Sequence, residues 1–66
     1  MSKPYTIVRP WIDLDRHNTE VRWCFKNVTS SNWRFGDLTE DNIKHELMIY
    51  EFEYEKDAIL FALRFG

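Results

Sequence analysis

A chain of 66 residues with a net charge of −2 has room for one domain and one core, and it offers no global attraction to phosphate backbones or anionic lipid. Its single cysteine, Cys24, excludes an internal disulfide, so stability falls to self-association or to the three Trp, three Tyr and five Phe, whose rings bury a large area per residue. No stretch approaches the ~20 apolar residues of a membrane span, and the opening MSKPYTIVRP lacks the apolar run of a signal peptide, so a cytoplasmic location is expected.

Residues 1–4 read as a frayed start. Residues 5–14 read as a strand with Tyr5, Ile7 and Trp11 on one face and Val8 and Ile12 on the other. Pro10 has no ladder donor, which makes this an edge strand or one broken by a bulge near Arg9. The polar segment DLDRHN, residues 13–18, supplies turn formers for a hairpin loop. Residues 19–28 then read as a second strand, with Val21, Trp23 and Phe25 inward and Glu20, Arg22, Cys24 and Lys26 outward. The TSSN stretch, 29–32, is a loop by composition, and Trp33-Arg34-Phe35 is a short extended piece that stops at Gly36. Asp37 and Glu40 have capping-box spacing, which predicts one or two helical turns over 38–44 with Leu38 and Ile43 turned inward; an irregular connection is the alternative.

The closing third, LMIYEFEYEKDAILFALRFG, carries the strongest pattern. Over residues 46–54, Met48, Tyr50, Phe52 and Tyr54 alternate with Glu51 and Glu53, the period of a half-buried strand. From Glu55 the period changes. Glu55 and Asp57 at the start and Arg64 near the end match a helix macrodipole, and Gly66 is expected to end the helix. Ile59, Phe61, Leu63 and Phe65 also alternate and would permit a fourth strand, but the two alanines favour helix. On a helix, Ala58, Phe61, Ala62 and Phe65 cluster, Ile59 and Leu63 extend the same side, and Leu60 falls among Lys56, Asp57 and Arg64. The apolar arc is roughly 200° wide, about twice the ~100° a helix needs to cover a sheet. Either the loop over 29–43 covers the surplus or another molecule does, with Leu60, Leu63, Arg64 and Phe65 as the candidate partner surface.

The expected architecture is a single α+β domain over 1–66: a three-stranded antiparallel sheet with one C-terminal helix packed on a face, and a short helix possible before the last strand. The open edges of so small a sheet are candidates for pairing with another chain. Phe52 and Tyr54, then Asp57-Ala58, then Phe61-Ala62-Leu63-Arg64-Phe65-Gly66, resemble the ending of many small proteins encoded by tailed bacteriophages. The resemblance is confined to that stretch and brings no catalytic residue with it. It implies a small accessory protein, acting in the cytoplasm of an infected cell, that binds a host or phage protein.

Constellations that could carry chemistry are weak. Asp13, Asp15, His17 and Glu20 are close in sequence but lack the central glycine and twelfth-position acid of an EF-hand loop, and they read as a solvated turn. His17, Cys24 and His45 lack paired ligand spacing such as CxxC or HxxxH. No metal, cofactor or catalytic residue is therefore assigned, and a small metal-dependent enzyme is the least favoured reading. Arg22, Lys26, Trp33 and Arg34, with Arg9, Trp23 and Phe35 nearby, are the residue types of a single-stranded nucleic-acid surface, in which cations meet phosphates and rings stack on bases. Strand alternation would place Arg22 and Lys26 opposite Trp23 and Phe25, which argues against that use. The favoured reading is a non-catalytic protein-interaction module that forms a homodimer or binds a host or phage protein, with nucleic-acid binding as the alternative and no membrane role.

Overall fold

The computed structural model describes residues 3–65, so Met1, Ser2 and the expected helix terminator Gly66 lie outside the described residues. The elements are β1 (Tyr5–Pro10), α1 (Leu14–Asn27), a 3-10 turn (Ser30–Asn32), β2 (Trp33–Phe35), α2 (Glu40–Lys44), β3 (Leu47–Phe52) and α3 (Glu55–Phe65). The sheet is three-stranded and antiparallel in the order β1-β3-β2, with Tyr5 opposite Phe52, Ile7 opposite Tyr50, and Trp33 opposite Phe52. The expected fold class is found: an antiparallel three-stranded sheet, a C-terminal helix on one face and a short helix before the last strand.

The identity of the third strand is a correction. Residues 19–27 belong to α1 and not to a hairpin strand, Val28 is the C-cap of that helix, and β2 comes from the short Trp33–Phe35 piece. The cause lies at Asp13. Its backbone is extended, and its carboxylate accepts from the Arg16 N–H at 2.7 Å, which caps the helix. Residues that favour turns also cap helices, because in both roles a short polar side chain bonds a nearby backbone group. Asp15 in the first turn and Lys26 in the last suit the macrodipole. The buried line of α1 is Glu20 and Cys24, four residues apart, with Val21 and Trp23 half-buried beside it and Phe25 exposed. The apparent alternation of Val21, Trp23 and Phe25 is therefore not a strand face.

β1 stops at Pro10, and the Trp11 N–H donates to the carbonyl of Glu46 at 2.6 Å, closing the end of the sheet beyond the proline. Glu46 turns the chain into β3 with φ 56°, a left-handed conformation that only glycine adopts without penalty. The cap of α2 is Thr39, which accepts from the Asn42 N–H, and not Asp37. Leu38 and Ile43, expected inside, are exposed, as is Tyr54. Gly36 is required where it stands: a Cβ there would overlap Ile49 Cγ2, while its N–H donates to the Ile49 carbonyl at 2.9 Å.

Both long helices meet the face of the sheet that carries Tyr50 and Phe52. Phe61 of α3 is at the centre, with ring centroids 4.7 Å from Tyr50, 5.4 Å from Phe52 and 5.7 Å from Trp23. Cys24, Val28, Trp33 and Ala58 complete the buried cluster. Among these apolar groups lies a charged one. Glu20 is 3% exposed; its Oε2 accepts from the Arg9 guanidinium at 3.3 Å and its Oε1 from the Tyr50 hydroxyl at 3.0 Å. One carboxylate thus ties α1 to an edge strand and to the central strand. Burial, and then the charge of Glu20 and its hydrogen bond, push the Tyr50 phenol upward, so Tyr50 stays a donor to Glu20 at ordinary pH.

Removing one partner of a buried ion pair strands the other, and Glu20→Leu is expected to cost about 3–5 kcal/mol. Adding Arg9→Met and Tyr50→Phe removes the stranded groups and is expected to restore most of the loss. Urea denaturation of the single and triple variants checks this; equal stability of the two would contradict it.

Candidate functional site

The two sets of site residues inferred from sequence are each divided by the structure and then recombined. In the nucleic-acid set, Trp33 is buried, with its ring against Phe25 at 5.3 Å and Phe35 at 5.4 Å. Arg34 is ion-paired with Glu51 at 3.3 Å and Asp37 at 3.8 Å, and Arg9 is held by Glu20. Arg22 and Lys26 are exposed on α1. In the partner set, Leu60 and Leu63 face solvent, whereas Phe65 packs edge-to-face on Trp23 at 6.1 Å and Arg64 lies over the Phe65 ring at 5.4 Å.

Two surfaces result. The first is the outer stripe of α3. Its inward side is Ala58 and Phe61, with Ala62 and Phe65 half-buried, as the helical period predicts. Ile59 and Leu63, expected on that side too, instead join Leu60 in solvent, at 49%, 78% and 53% exposure. The reason is angular: Leu63 is two residues from Phe61, about 160° around a helix that turns ~100° per residue. The sheet takes only the narrow stripe centred on Phe61. The loop over 29–43 leaves this side of α3 uncovered.

The second surface is a cleft of about 330 Å³ between α1 and the last turn of α3. Trp23 and Phe65 line it with Arg22, Lys26 and Arg64, and Thr19 and Asn27 complete the wall. Thr19, Arg22, Trp23, Lys26 and Asn27 share one face because they fall at i, i+3, i+4, i+7 and i+8 of a helix. The separation of charge from rings expected of a strand is thus reversed: a helix places Arg22 and Lys26 beside Trp23. The 3.6-residue spacing was the signal for this surface, and the strand assignment masked it.

The remaining candidates do not converge. Asp13 caps α1, Asp15 is exposed, His17 lies between Trp11 at 4.9 Å and Phe35 at 5.8 Å, and Glu20 is buried in the network above. His45 ends α2 on the surface. Among the described residues no group of three or more His, Cys, Asp or Glu side chains is placed to share a metal ion, and no helix is long and apolar enough to cross a membrane. Cys24 is fully buried, and its thiol is pushed up to about 12, first by burial and then by the charge of Glu20. A thiol so held is not a nucleophile at neutral pH.

No family of known proteins, no characterised sequence and no solved structure matches the chain.

The Cys24 shift has a sign that can be measured. Between its ordinary 9.0 and about 12, the unfolded chain releases a proton that the native state retains. The associated stability is complete below pH 9 and is lost as the pH rises through that window. Denaturation midpoints of the wild type are expected to fall more steeply than those of Cys24→Ala between about pH 8.5 and 11. Parallel curves would contradict the assignment.

Proposed function

We propose that the protein is a non-catalytic interaction module, a small accessory protein of the tailed-phage type, that docks through the outer stripe of α3. The observation that carries this reading is the combined exposure of Ile59, Leu60 and Leu63 on the side of α3 that faces away from the sheet. Exposed aliphatic residues scattered singly need no explanation, but a contiguous stripe on one helix does. Val8, Ile12, Leu14, Phe25 and Ile43 are also exposed, yet they are spread over β1, the connection after it, the two ends of α1, and α2. The resemblance of the closing stretch to phage proteins supports the same class of function.

The first occupant is a second copy of the chain. A stripe at i, i+1 and i+4 is self-complementary when two helices pack antiparallel about a twofold axis: Leu60 meets Ile59 of the other copy, and Leu63 meets the stem of Lys56. Full burial of an aliphatic side chain contributes about 1.5–3 kcal/mol, while association costs about 4–15 kcal/mol. Six such residues, each already partly covered at 49–78% exposure, contribute about as much as that cost, so the pair is at most a weak dimer, and we set its Kd at about 10 μM to about 1 mM. Partners offering a longer apolar groove would be held more tightly.

Sedimentation equilibrium over that concentration range tests the proposal. The wild type is expected to dimerise, and Leu63→Glu to remain a folded monomer, because Leu63 contributes little to the core. A wild-type monomer at about 1 mM, the weak limit set above, where about half the chains should be dimeric, together with equal capture of host or phage proteins by wild type and Leu63→Glu, would overturn it.

A further inference from the structure

We propose that the cleft between α1 and α3 binds a nucleoside phosphate, with the base against Trp23 and Phe65 and the phosphate among Arg22, Lys26 and Arg64. This is independent of the α3 stripe, since Ile59, Leu60 and Leu63 do not line the cleft.

Charge is the first argument. The chain carries a net charge of −2, yet among the described residues three cations and no carboxylate line this cleft. Among the described residues none of the three cations is paired with a carboxylate; Arg16, Lys44 and Lys56 have no such pair either, but they stand apart on α1, α2 and α3, whereas these three converge on one cleft. Like charges gathered without counter-charge repel one another, and a bound anion relieves that repulsion. A helix macrodipole accounts for one cation in each last turn, Lys26 of α1 and Arg64 of α3. It does not account for Arg22, one turn earlier.

Shape and ring chemistry are the second argument. A bare inorganic anion would occupy a small part of 330 Å³, while a volume of this order suits a small organic ligand, for which pockets run from about 300 to about 1,000 Å³. Aromatic walls accept the flat face of a base, and two guanidinium groups grip phosphate oxygens through paired donors. The polar wall adds little competing recognition: the Thr19 hydroxyl donates to the Asp15 carbonyl at 2.9 Å and the Asn27 amide to the Trp23 carbonyl at 3.0 Å. Recognition therefore rests on rings and cations, which read the class of ligand and not the identity of the base.

The same chemistry reaches the cleft from a free nucleotide or from a single-stranded nucleic acid. Amide chemical-shift mapping at low salt separates the two, with adenosine monophosphate, an oligothymidylate of eight nucleotides and inorganic phosphate as probes. Shifts are expected at Arg22, Trp23, Lys26, Arg64 and Phe65. Comparable affinity for the mononucleotide and the oligonucleotide identifies the free nucleotide as ligand; binding of the oligonucleotide alone identifies the single strand. For the single strand, the logarithm of affinity is expected to fall with the logarithm of salt at a slope of up to about −2, three phosphates at ~0.7 each. Arg22→Glu with Lys26→Glu is expected to weaken binding at least tenfold, and Ile43→Ala, exposed on α2 and away from the cleft lining, to leave it unchanged. Absence of shifts at Trp23 and Phe65 with both nucleotide probes, or binding of inorganic phosphate as tight as that of the nucleotides, would overturn the proposal.

Discussion

The buried carboxylate of Glu20 is the constraint on which the rest of the molecule depends. A charge at 3% exposure persists in an apolar interior only if its lone pairs are used, and here Arg9 and Tyr50 use them. Because the donors come from β1 and β3 and the acceptor from α1, the network has few arrangements open to it. A hydrophobic contact between α1 and the sheet could slide by a turn at little cost. This one cannot, since a slip of α1 would leave a guanidinium, a phenol and a carboxylate buried without partners.

With α1 fixed in that way, the other features follow. Trp23 is brought against Phe61 and Phe65, so α1 and α3 share the same face of the sheet and leave a cleft between α1 and the last turn of α3. Cys24 is carried into the core beside Glu20 and loses its reactivity. Phe61 becomes the hub of the aromatic cluster, and α3 must present Ala58 and Phe61 to it. Ile59, Leu60 and Leu63 are then directed outward by the geometry of the helix itself. The exposed stripe and the cationic cleft are thus two consequences of a single packing decision.

How much of this could be read from the sequence depends on whether one residue type had one structural meaning. Met48, Tyr50 and Phe52 alternating with Glu51 had only one, and β3 lies within the residues expected of it. The macrodipole charges of Glu55, Asp57 and Arg64 likewise identified α3, and an α+β class with a C-terminal helix was legible from the two elements together; the count of three strands included residues 19–28 and holds only because Trp33–Phe35 takes their place. Asp13 had two meanings, turn former or helix cap, and so did Val21, Trp23 and Phe25, whose spacing of two fits a strand and whose flanking position beside Glu20 and Cys24 fits a helix. Sequence patterns assume that charges face water, which argued for placing Glu20 outward; its burial could be seen only once Arg9 and Tyr50, 11 and 30 residues away, were in place. Leu60 and Leu63 were recognised as surplus apolar surface. Ile59 was missed because the width of the stripe that the sheet covers is a tertiary fact, and the cleft was missed because it belongs to a helix read as a strand.

If Glu20 fastens α1 to the sheet, α1 and β3 open together. Native-state amide hydrogen exchange resolves this residue by residue, because local opening and global unfolding expose amides at different free energies. The amides of Val21 and Cys24 in α1 and of Tyr50 and Phe52 in β3 are expected to exchange with the same opening free energy, equal to that of global unfolding. Exchange of the α1 amides through a distinct opening of much lower free energy, with β3 still protected, would contradict the role given to Glu20 and the cleft that depends on it.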